Sequence, residues 1–116
     1  MKRLVLVSSL TALLVSCGPA FERPMVTGPL AASDSRVAQG ERVFYENCHA
    51  CHPHGGRGIG KGVADRPLPA FAVRLQVRHG LGEMPAFSEE EIDAEEMDAL
   101  LAYLSELRMV WAAETP

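Results

Sequence analysis

The chain has 116 residues, 47% of them apolar, with 15 acidic against 11 basic side chains for a net charge of −4. That length furnishes one small globular domain and leaves no room for a second. No apolar run reaches the roughly 20 residues of a membrane-crossing helix, which excludes a bundle of such helices; scattered basic residues at negative net charge exclude a dedicated nucleic-acid binder.

The first segment reads as an address. Lys2 and Arg3 precede an apolar stretch over residues 4–15 that is too short to span a bilayer, so a signal peptide is predicted over 1–16. Its end, Leu14, Val15, Ser16, Cys17, Gly18, resembles the bacterial lipobox. The resemblance implies cleavage before Cys17, a diacylglycerol on its sulfur, and an exported protein held on the periplasmic side of the inner or outer membrane. An ordinary cleaved signal, leaving Cys17 as an odd thiol, is the alternative. Residues 18–35 hold three prolines and two glycines without helical or strand period. With Cys17 they are read as the lipid-anchor cysteine and flexible tether, 17–35, spanning about 23 Å as a coil. Loose packing of Phe21 and Met25 on the domain is the rival reading. The folded domain is placed over 36–112.

A helix is predicted over about 34–47. Asp34 or Ser35 caps its start, and Val37, Gly40, Phe44 and Cys48 fall on one stripe at spacings of three and four. Gly40 inside a helix costs about 1 kcal/mol against alanine, which points to close approach of another backbone. Pro69 to Arg78 suits a short helix carrying Phe71 and Leu75 inward, with Val73 and Val77 as further inward candidates. A last helix follows Asp93, which with Glu96 makes a capping box. It carries Met97, Leu100, Leu101, Leu104, Leu107, Val110 and Trp111 at helical period, and Ser88 with Glu91 fits a preceding turn. The remainder of 53–87 is rich in glycine and proline with no convincing strand. So long an irregular middle needs something beyond its own side chains to organise it.

That organiser is suggested by Cys48, His49, Ala50, Cys51, His52, which spells CxxCH. One turn of backbone brings both thiols to one side, where they can add across the two vinyl groups of a porphyrin, and the next residue can offer an imidazole to the iron. This is the attachment signature of c-type haem. A thioredoxin-type thiol pair lacks the βαβ context. A zinc or copper site built from Cys48, His49, Cys51, His52 and His54 is a further alternative.

For the opposite face of the iron the candidate is Met84, followed by Pro85 and preceded by Gly80 and Gly82. His79 is the rival, and a His/His iron would have a lower potential than a His/Met iron. Over roughly 37–111 the sequence resembles the class I monohaem cytochromes c. The resemblance implies an all-α fold in which first and last helices cross at Gly40 and Phe44, with a loop-rich middle wrapping the haem. It also implies one covalent haem c on Cys48 and Cys51, with His52 and Met84 as axial ligands. The family's Gly-Pro-x-Leu, whose proline carbonyl holds the axial imidazole, is absent as such, leaving Pro67 and Pro69 as candidates.

Charge is unevenly divided: residues 36–80 sum to +4 and residues 81–116 to −9. Arg57, Lys61, Arg66, Arg74 and Arg78 are candidates for the haem propionates or a partner's acidic face. Glu89 to Asp98 suit the positive end of a helix. The function these readings converge on is single-electron transfer between a redox-protein donor and acceptor, without bond-making catalysis. A haem enzyme or gas sensor with an open axial position is the alternative.

Overall fold

The computed structural model describes residues 34–114. The segment read as a signal peptide, with Cys17, Phe21 and Met25, lies outside the described residues. Three helices follow in order: α1 (Ser35–Asn47), α2 (Ala70–His79) and α3 (Ala94–Glu114), with a single 3₁₀ turn at Pro53–Gly55. No strand occurs among the described residues, so the fold is all-α. No described helix is long and apolar enough to cross a membrane.

Each helix begins where its sequence dictates. Asp34 accepts the Arg36 amide at 2.8 Å, satisfying one of the donors that a helix start leaves open. At α3, Asp93 accepts the Glu96 amide at 2.8 Å while Glu96 accepts the Asp93 amide at 3.0 Å, a reciprocal capping box. Just before it, the Ser88 amide donates to Glu91 at 2.8 Å and the Ser88 hydroxyl at 3.0 Å, and these bonds hold the Glu91 carboxyl below its ordinary pKa. α2 starts after Pro69, whose fixed φ suits a helix entry, and stops at Gly80.

α1 and α3 cross and bury most of the core. Phe44, Met97, Leu100 and Leu107 are fully buried, joined by Ile92 from the turn before α3. Gly40 makes the crossing possible: a Cβ there would lie 1.9 Å from the Ala99 carbonyl oxygen. One turn on, Phe44 packs against Tyr103 with ring centroids 5.3 Å apart. Trp111 closes the far end of the core.

α2 corrects the expected orientation. Val73 and Val77 are buried, whereas Phe71 and Leu75 are 67% and 55% exposed. The two pairs each repeat at four residues, but a two-residue offset turns them about 200° apart on a helix, so only one pair can face inward. The structure selects the valines.

Candidate functional site

At the end of α1 the backbone makes one further turn, with the Cys51 amide at 3.1 Å and the His52 amide at 2.9 Å from the Cys48 carbonyl. This brings Cys48, Cys51 and His52 to the wall of one cavity of about 530 Å³. The other walls come from the loop over 59–68, from Val73, Gln76 and Val77 of α2, from the turn carrying Met84, and from Leu100, Leu104 and Arg108 of α3. The volume is cofactor-sized and the lining largely apolar, with few polar groups, as small-molecule sites generally are.

His52 is held from behind. Its Nδ1 lies 2.8 Å from the Lys61 carbonyl oxygen. A carbonyl can only accept, so Nδ1 carries the proton and donates, leaving the Nε2 lone pair available to a metal. The orienting carbonyl is therefore that of Lys61, and neither Pro67 nor Pro69 supplies it. Pro69 spends its carbonyl in the first turn of α2, accepting from Ala72 and Val73. Gly60 lets the loop pass against the imidazole: a Cβ there would sit 2.3 Å from His52 Cε1.

Met84 sits in a tight turn closed by reciprocal amide bonds with Leu81 at 3.1 and 3.2 Å. It is half-buried in the same cavity, and its sulfur lies 3.6 Å from the Gln76 amide nitrogen, a weak donor contact that fixes the thioether. The turn is tied to α2 by Phe87 N–H donating to Val77 at 2.9 Å and by Arg78 donating to the Phe87 and Ser88 carbonyls. His79 is exposed at the end of α2, outside the cavity lining.

The remaining histidines are gathered elsewhere. His49 stacks on Tyr45 at 4.7 Å and meets His54 edge-on at 4.7 Å, while Tyr45 Oη lies 3.1 Å from His54 Nδ1. Among the described residues no group of three or more His, Cys, Asp or Glu side chains is placed to hold a metal ion by itself. Cys48 and Cys51 are both free, and burial, with the neighbouring Cys51, pushes the Cys48 thiol up to about 11.

Of the basic residues expected near an acidic group, Lys61 and Arg66 line the cavity. Arg74 instead pairs with Asp98, Arg78 clamps the Met84 loop, and Arg57 is not part of the lining. Arg108 is the cation that sequence reasoning missed. Its signal was present: it is the only basic residue in the strongly acidic stretch 81–116.

Two adjacent thiols, an imidazole with its outer nitrogen anchored and a fixed thioether around an apolar hollow fit a covalently attached haem. Residues 35–104 match the family described as cytochrome C oxidase, cbb3-type, subunit III. The chain belongs to the cytochrome c family, as a class I monohaem cytochrome c, and is a haem c electron carrier. It is 34% identical to cytochrome c6 of Thermosynechococcus vestitus over 96% of this chain and 97% of that one. It is 33% identical to cytochrome c6 of Thermostichus vulcanus over 71% of this chain and 80% of that one. The cytochrome c subunit of 4-cresol dehydrogenase (hydroxylating) from Pseudomonas putida is 31% identical over 78% of this chain and 88% of its own. No solved structure matches the chain significantly.

Proposed function

We propose that the chain is an exported, lipid-anchored carrier of single electrons in which Cys48 and Cys51 would hold the haem and His52 and Met84 would ligate its iron. The observation that carries this reading is that all four side chains line one cavity, each ligand fixed by a bond of its own: His52 to Lys61, Met84 to Gln76. When bound, haem supplies a one-electron iron couple. The chain's residues supply the rest. The Lys61 carbonyl keeps Nδ1 protonated and Nε2 basic, and Gln76 orients the sulfur. The apolar walls would limit water at a bound haem, and the anchored turns would hold His52 and Met84 in place whether its iron is oxidised or reduced. Electron transfer then needs little rearrangement and no bond to substrate, which is why the chain is read as a carrier and not as an enzyme.

Donor and acceptor are redox proteins on this reading. Likeness to a dehydrogenase's cytochrome subunit supports a dehydrogenase as donor, and likeness to cytochrome c6 supports a free-standing shuttle. The two differ in one measurable respect: a shuttle purifies alone, and a subunit co-purifies with its dehydrogenase.

Met84→Ala is expected to open the iron. The ferric protein should lose its methionine-to-iron charge-transfer band at the red end of the spectrum, become high-spin and bind added imidazole or cyanide at once. An unchanged ferric spectrum would reassign the sixth ligand to His79. For the anchor, Cys17→Ser is expected to move the protein from the membrane fraction to the soluble periplasmic fraction and to remove the diacylglycerol mass. Undiminished membrane fractionation would refute the anchor and leave the haem site untouched.

A further inference from the structure

Arg108 rises from α3 into the cavity wall, where its Nε donates to the Val63 carbonyl at 3.3 Å and one terminal nitrogen to the Leu68 carbonyl at 3.0 Å. A guanidinium has five N–H donors in a planar fork, so most of the charged head is left to bind something else. The side chain is half-buried, a costly place for a cation without a counter-ion. Among the described residues no carboxylate pairs with it; the ion pair they form is that of Arg74 with Asp98. The cavity lining holds three cations, Lys61, Arg66 and Arg108, against the single carboxylate of Glu83. A half-buried guanidinium beside an apolar hollow, with the exposed Lys61 and Arg66 at the same wall, calls for an anionic group on whatever fills it, and haem carries two carboxylates, its propionates.

We infer that Arg108 is the carboxylate-binding residue of the cavity. Pinned by the Val63 and Leu68 carbonyls, it receives a haem propionate and fastens to α3 the loop whose Lys61 carbonyl orients His52. One side chain on the last helix thereby links the haem's acidic edge to the position of the axial imidazole. The inference rests on the proposed haem site. Arg108 is a positioning residue in this account, and burial, which lowers its pKa, adds to its demand for an anion.

The test is the midpoint potential of the purified holoprotein, followed by spectroelectrochemistry from pH 5 to 8. In the wild type the propionate held by Arg108 stays ionised throughout and adds no slope to the potential. Arg108→Gln removes a positive charge that disfavours ferric iron, and should shift the ferric/ferrous ratio about tenfold toward ferric at pH 8, about 59 mV for one electron. It also lets the propionate pKa rise into the window. Protonation removes a negative charge that favours ferric iron, so the variant's potential must climb as pH falls. Arg108→Lys keeps the charge without the fork and should retain the wild-type profile. If Arg108→Gln melts earlier but keeps the wild-type potential and pH profile, Arg108 is only a loop anchor and the inference fails. Loss of the proposed haem site reads out separately, as an intact mass lacking haem on Cys48 and Cys51.

Discussion

Gly40→Ala is expected to destabilise the folded holoprotein by at least about 3 kcal/mol, at the upper end of the range for overpacking. In an exposed helix the same change would be favourable by about 1 kcal/mol, because alanine restricts the unfolded chain and glycine does not. The sign is reversed here by contact with backbone. The new Cβ would lie 1.9 Å from the Ala99 carbonyl oxygen, 2.5 Å from its carbon and 2.8 Å from Tyr103 Cβ. None of these atoms is the free end of a flexible side chain. Relief requires α1 and α3 to separate, and that disturbs the packing of Phe44, Met97 and Leu100 as well. Urea unfolding followed by far-ultraviolet circular dichroism measures the effect. A midpoint equal to or above that of the wild type would mean that the crossing is looser than described.

Cys51→Ala is expected to have the larger effect, a fall of more than about tenfold in yield of exported holoprotein, with the remainder attached through Cys48 alone. The reason is architectural. Among the described residues the middle of the chain is held by one 3₁₀ turn, the ten-residue α2 and a few backbone bonds, all arranged around the cavity. The hollow of about 530 Å³ is walled by Phe44, Leu100 and Leu104 of the core, so a bound haem would complete that core. Haem staining after denaturing electrophoresis reads the result. Undiminished, doubly attached haem in the variant would contradict the assignment of Cys51.

Much of this was legible in the sequence because it is carried by local chemistry. Asp34, Asp93 with Glu96, and Ser88 with Glu91 announce helix starts and turns by hydrogen bonds that span only two or three residues. Gly40 is readable because a glycine inside an otherwise good helix needs a reason. CxxCH is readable because one turn of backbone fixes the relation of its three reactive side chains. What escaped depends on how distant segments meet. The Lys61 carbonyl has no side-chain signature, and only the path of the 59–68 loop brings it to His52. The expectation that Phe71 and Leu75 face inward fails because periodicity cannot separate the two pairs: both are apolar and both repeat at four residues, and the structure buries Val73 and Val77. Arg108 reaches Val63 and Leu68 across 45 and 40 residues of sequence. Its isolation among carboxylates was visible, but not its target.

The intact mass of the exported protein, with the mass of its tryptic peptide over residues 43–57, tests the central claim most directly. The account predicts one haem per chain, retained after denaturation, with the peptide carrying Cys48 and Cys51 heavier by that haem and resistant to thiol alkylation. A peptide of unmodified mass, with both thiols open to alkylation, would contradict it.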